Sequence, residues 1–107
     1  ASVKLRPDLL GTIQSEVAEA IGWKDDRPFD LVMHGGSGVS EEDYYKVIAR
    51  GVRKINYYTY MSREGTNAVK RMLEEQEVTF YHDLALAAQK AMEADAEKAM
   101  RVFMMKE

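Results

Sequence analysis

His34 is the residue whose type and setting could most directly do chemistry. It ends the apolar run Leu31-Val32-Met33 and is followed at once by Gly35-Gly36-Ser37-Gly38. Imidazole is a common zinc ligand, and glycines let backbone amides approach an anion closely. Ser40-Glu41-Glu42-Asp43 then has the S-x-x-D pattern of a helix start, and a helix N-terminus favours negative charge. Strand, histidine, glycine loop and helix start together set a candidate metal ligand beside a candidate phosphate cradle. The implied chemistry acts on a phosphorylated substrate. Each signal alone has a plainer reading, a structural histidine and a glycine turn. A catalytic zinc needs about three protein ligands. The other histidine, His82, lies where no ligand motif is found and reads as a helix-start or surface residue.

The elements that must position these residues follow from spacing. Pro7 suits a first helical turn, Leu10, Ile13, Val17, Ala20 and Ile21 keep helical periodicity, and Gly22 ends the helix. Trp23 to Pro28 reads as a polar connection anchored by Trp23. Phe29 to His34 reads as a short buried strand of the parallel kind. A helix over Glu41–Arg50 turns Tyr44, Val47 and Ile48 inward, and Val52 to Tyr57 forms a second strand. Helices are then expected over Met61–Glu77, with Val69, Met72 and Leu73 on one face, and over Asp83–Phe103, with Leu84, Ala88, Ala91, Ala99 and Phe103 near one stripe. Two parallel strands do not make a stable sheet. The pattern therefore reads as α/β, the end of a barrel or doubly wound sheet without its first part. The competing fold is a free-standing, mostly helical domain.

With 107 residues the chain is one domain or a piece of a larger one. A net charge of −3 offers no basic stripe for nucleic acid. The absence of cysteine excludes disulfides and cysteine zinc sites. Apolar runs fall far short of the roughly 18 residues that suggest a membrane span, so no membrane partner is expected and a cytoplasmic location is the default. Seven methionines and six tyrosines read as packing and interface residues.

Taken together, Leu-Val-Met-His-Gly-Gly-Ser-Gly at 31–38 and Gly51-Val52-Arg53-Lys54-Ile55-Asn56 resemble the class II, zinc-dependent ketose-bisphosphate aldolases. In that family an apolar strand ends in H-G-G-S-G, and G-V-x-K-I/M-N follows after one helix. Val3-Lys4-Leu5-Arg6-Pro7 also looks like the segment that precedes this strand in some members. The resemblance is sharp over residues 29–62 and looser elsewhere, with 1–107 taken as a single segment.

The resemblance implies the C-terminal part of a (β/α)8 TIM barrel. The two strands would be its seventh and eighth, followed by an outer helix and a C-terminal helical extension. It implies that His34 is one of three histidine ligands to zinc. Gly35, Gly36 and Ser37 would bind the ketose phosphate, and Asn56 the dihydroxyacetone-phosphate portion. Thr59 would lie on the phosphate loop after strand eight, and the site would also take a monovalent cation. Fructose-bisphosphate members usually read N-x-D-T or N-x-N-T, and tagatose-bisphosphate members often N-x-A-T. Here Asn56-Tyr57-Tyr58-Thr59 puts a phenol at Tyr58, a candidate specificity position.

The implied reaction is reversible aldol cleavage of a ketose 1,6-bisphosphate, a step of glycolytic carbohydrate metabolism, by a homo-oligomer. The family's other two zinc histidines and its catalytic aspartate precede this segment, so the 107-residue chain alone is expected to be inactive. Exposed strand edges and unpartnered apolar faces should make it self-associate. The rival is a non-enzymatic phosphate-binding or assembly module that carries the same loop.

Overall fold

The computed structural model describes residues 3–25 and 29–105, so the end of the Trp23–Pro28 connection lies outside the described residues. The elements run α1 (Pro7–Ile21), β1 (Leu31–Met33), α2 (Glu41–Ala49), β2 (Val52–Ile55), α3 (Thr59–Glu75) and α4 (Tyr81–Phe103). This is the expected order. The chain divides into two compact units, Ala1–Asn56 and Tyr57–Glu107.

In the first unit β1 and β2 pair in parallel, with Leu31 opposite Val52, Val32 opposite Lys54 and Met33 opposite Ile55. Tyr44 and Val47 of α2 and Val52 of β2 are buried. The acidic first turn Glu41-Glu42-Asp43 complements the dipole of α2. Ser40 caps the helix as its spacing predicts, accepting from the Asp43 amide at 3.2 Å. Helix α1 ends at Gly22, where the Trp23 amide reaches back to the Ala18 carbonyl at 2.8 Å.

β1 is shorter than the expected Phe29–His34 because Phe29 bonds to a side chain instead of a neighbouring strand. Gln14 of α1 takes both its backbone groups, Nε2 donating to the Phe29 carbonyl at 2.8 Å and Oε1 accepting from the Phe29 amide at 3.1 Å. The same Nε2 lies 3.3 Å from the Arg50 carbonyl past the end of α2. One amide thus ties α1 to the entrance of β1 and to the exit of α2. Replacing Gln14 by leucine is expected to lower stability by about 1–3 kcal/mol, the cost of leaving partly buried backbone groups unbonded. Urea unfolding followed by the fluorescence of Trp23, the single tryptophan, measures this.

The apolar stripe of α1 is where periodicity and burial part. Leu10 is half-buried, but Ile13 is 43% and Ile21 63% exposed. Leu10, Ile13, Leu31, Met33, Val47 and Val52 line a cavity of about 270 Å³. A two-stranded sheet is too narrow to cover a 15-residue helix, so the stripe stays largely open.

The second unit is a helical hairpin. α3 starts at Thr59, two residues before the expected Met61, because the Ser62 amide closes a first turn on the Tyr58 carbonyl at 2.9 Å. α4 likewise begins at Tyr81 rather than Asp83. Gly65 is buried where a Cβ would lie 3.0 Å from Met92 Cγ and Sδ, so its missing side chain sets how closely the helices approach. Tyr57 donates to Asp95 Oδ2 at 2.7 Å and meets Phe103 edge-on at 5.9 Å. β2 stops at Ile55, short of the expected Tyr57, whose side chain belongs to this hairpin. No helix among the described residues is long and apolar enough to cross a membrane.

Candidate active-site segment

Parallel pairing brings the ends of β1 and β2 to one edge of the sheet. The Leu31 amide bonds to the Gly51 carbonyl at 2.8 Å, and the Asn56 amide to the Met33 carbonyl at 3.0 Å. His34 therefore follows β1 directly beside Asn56, which follows β2. Their side chains meet, with His34 Nδ1 and Asn56 Nδ2 2.9 Å apart. On the far side of the same amide, Lys54 Nζ donates to Asn56 Oδ1 at 2.5 Å. His34 and Lys54 are exposed and Asn56 is half-buried.

The glycine loop is pinned from two sides. The Gly36 amide donates to the Asn56 carbonyl at 2.7 Å, and the Val3 amide to the Gly38 carbonyl at 3.1 Å. Gly36 is buried, and a Cβ there would sit 2.8 Å from Ile55 Cγ2, 2.8 Å from the Tyr44 hydroxyl and 3.2 Å from the Asn56 carbonyl. Its role is close approach, and its amide is committed to Asn56. Gly35 adopts φ 81° and Gly38 φ 84°, left-handed values that glycine takes without steric cost. Ser37 and Gly38 are half-buried, and the loop leads straight into the N-terminus of α2. The glycine loop runs directly into a helix start, the type of junction that can hold an anion.

Tyr44 lies beneath the loop, and burial pushes its phenol up to about 12. A tyrosine in the unfolded chain ionises near 10. Between about pH 10 and 12 the unfolded state therefore releases a proton that the folded state keeps, and stability falls as pH rises. Below pH 10 both states are protonated and Tyr44 contributes no slope. The wild-type chain is expected to lose about 2–3 kcal/mol more than Tyr44→Phe across that window. Urea unfolding at stepped alkaline pH checks this.

In the second unit, Tyr58 is the N-cap residue of α3 and 65% exposed, and Thr59 is the first residue of that helix. Its N-terminus carries no side-chain cap. His82 lies in the first turn of α4, stacked on Phe80 with ring centroids 5.5 Å apart and 3.5 Å from Asp83 Oδ1.

The model for class-II fructose-bisphosphate aldolase matches residues 1–107. The chain belongs to that family. Among curated aldolases, it is 50% identical over 58 residues to the fructose-bisphosphate aldolase of Neurospora crassa, 54% of this chain and 16% of that protein. To the Mycobacterium bovis enzyme it is 42% identical over 59 residues, 54% of this chain and 17% of that protein. The fold is similar to the crystal structure of the Campylobacter jejuni fructose-bisphosphate aldolase, with a TM-score of 0.73 at 21% identity over 94% of this chain and 35% of that one. It is also similar to the YdjI aldolase of Escherichia coli K12, with a TM-score of 0.70 at 25% identity over 94% of this chain and 34% of that one. The chain thus spans about a third of the solved aldolases it matches.

The aldolase family implies zinc, and the residues present can be tested against it. His34 is a donor of the right chemistry, but among the described residues no group of three or more histidine, cysteine, aspartate or glutamate side chains could hold a metal ion. The described residues thus offer one donor of suitable chemistry and not a complete zinc site. The sequence gives Lys54 and Gln14 no role, and Tyr44 only that of an inward-facing residue of α2, where it is indeed buried. Lys54 stands inside the Gly51–Asn56 motif, so a signal existed for it. Nothing local marked Gln14.

Proposed function

We propose that this chain is the C-terminal portion of a class II aldolase barrel, strands seven and eight with their helices and a C-terminal extension. The parent reaction is reversible zinc-dependent cleavage of a ketose 1,6-bisphosphate, of fructose-bisphosphate type, to dihydroxyacetone phosphate and an aldehyde phosphate. The observation that carries the reading is the meeting of His34 and Asn56 at the C-terminal ends of two parallel strands, beside the pinned glycine loop. Barrel enzymes place their sites at that end of their strands.

In this reading His34 supplies one of three histidine ligands, and the other two come from residues outside this chain. Zinc, when bound, supplies Lewis-acid polarisation of the ketose carbonyl. Gly35 and Ser37 hold the ketose phosphate through amides and the serine hydroxyl, and Gly36 lets the backbone close on it. Asn56 orients the dihydroxyacetone-phosphate portion through its side-chain amide. The resemblance assigns Thr59 a phosphate contact, Tyr58 a part in choosing the ketose, and the loop a monovalent cation. The proton-transferring carboxylate is not among these residues. We place the parent in the cytoplasm as a homo-oligomer.

The test is zinc-dependent release of dihydroxyacetone phosphate from fructose 1,6-bisphosphate. A polypeptide that joins this segment to the upstream part of the barrel is expected to release it and to stop on chelation. The 107-residue chain alone is expected to release none. Chelator-insensitive cleavage, or none by the longer polypeptide, would count against the reading.

A further inference from the structure

Lys54 of β2 and Val32 of β1 are register partners, and Asn56 and His34 each follow two residues later, just past the strand ends. Side-chain contacts run from Lys54 to Asn56 and from Asn56 to His34. An ammonium is donor-only. The Asn56 oxygen therefore faces Lys54, and the charge-assisted bond between them is the stronger of the two the amide makes. The amide nitrogen is left to face His34 Nδ1, at 2.9 Å. Since that NH2 can only donate, Nδ1 must accept, and the ring proton of neutral His34 must sit on Nε2.

We infer that Lys54 is a positioning residue that sets the tautomer of His34 through the Asn56 side chain. Turning the amide over would place its NH2 against the Lys54 ammonium, donor against donor, and present its oxygen to Nδ1, which calls for the opposite tautomer. The orientation thus turns on a lysine that does not touch the imidazole. In the resulting tautomer the ring has one lone pair, already used by Asn56, so a cation approaching Nδ1 has to displace the amide and not a proton. This deepens the site proposed above, but its readout is not catalytic. The tautomer assignment can fail while the aldolase reading stands, and the reverse.

The experiment is a two-bond 15N–1H correlation of the histidine-labelled 107-residue chain, recorded at stepped alkaline pH until the ring signals stop moving, with His82 as internal reference. The wild type is expected to show a lone-pair-type shift at His34 Nδ1 and a protonated Nε2. Lys54→Met is expected to raise the Nδ1–H fraction of His34 several-fold and leave His82 unchanged, and Lys54→Arg to restore the wild-type pattern. Asn56→Asp, which offers only acceptors, is expected to invert the tautomer. Asn56→Asp and the wild-type spectrum test the Asn56–His34 link alone, and should Lys54→Met lose its amide dispersion, Lys54→Gln takes its place in testing the lysine, with the same rise in the Nδ1–H fraction expected. A wild-type His34 protonated on Nδ1, or a folded Lys54→Met spectrum identical to wild type, would overturn the inference.

Discussion

Replacing Gly36 with alanine is expected to lower the stability of the first unit by about 3 kcal/mol or more. The new methyl group would sit 2.8 Å from both Ile55 Cγ2 and the Tyr44 hydroxyl, and 3.2 Å from the Asn56 carbonyl. None of the three yields easily: Ile55 belongs to the sheet, Tyr44 is a buried ring and the third atom is backbone. Overpacking of this kind costs about 1–3 kcal/mol. Displacing the loop also strains the 2.7 Å bond from the Gly36 amide to Asn56, worth about a further 1 kcal/mol. Against a typical domain stability of about 5–15 kcal/mol, that is a large fraction. Gly11, inside α1, is the control. No atom comes within 4 Å of its imagined Cβ, so Gly11→Ala is expected to stabilise by about 0.5–1 kcal/mol. Trp23 fluorescence during urea unfolding reads both variants, and equal effects of the same sign would refute the packing argument.

Replacing His34 with alanine in a polypeptide that joins this segment to the upstream part of an aldolase barrel is expected, on the proposed function, to weaken zinc binding by more than about 100-fold. Losing a residue that merely orients a metal ligand already costs about 10–100-fold, and here the proposed ligand itself is removed. Cleavage of fructose 1,6-bisphosphate should fall with metal occupancy, while the unfolding midpoint of the metal-free protein stays near wild type, because His34 is exposed and buries no core surface. Competition with a chromogenic chelator gives the affinity. Unchanged zinc affinity in a folded variant would remove His34 from the metal site.

Features decided by short-range chemistry were legible in the sequence. The Ser40–Asp43 cap and the Gly22 stop appear where their residue types place them. The parallel pair of short strands joined by one helix was legible as well, whereas the meeting of His34 and Asn56 at 2.9 Å is seen only in the structure. What was not legible depends on distant partners. Gln14 reaches Phe29 and Arg50, 15 and 36 positions away, and no local pattern tells such a glutamine from a solvated one. The commitment of the Gly36 amide to Asn56 likewise appears only once the strands are in register. Periodicity correctly gave α1 an apolar stripe but not its burial, because burial needs a covering surface that a two-stranded sheet does not offer.

A titration of the 15N-labelled chain with dihydroxyacetone phosphate, read from its amide spectrum, tests the central claim most directly. The account predicts saturable shifts at Gly35, Gly36, Ser37 and the first turn of α2, with the α4 amides unmoved and the shifts lost in Gly36→Ala. Shifts spread over the surface lysines and arginines with the loop amides still, or no saturable shift, would contradict a phosphate cradle at this loop.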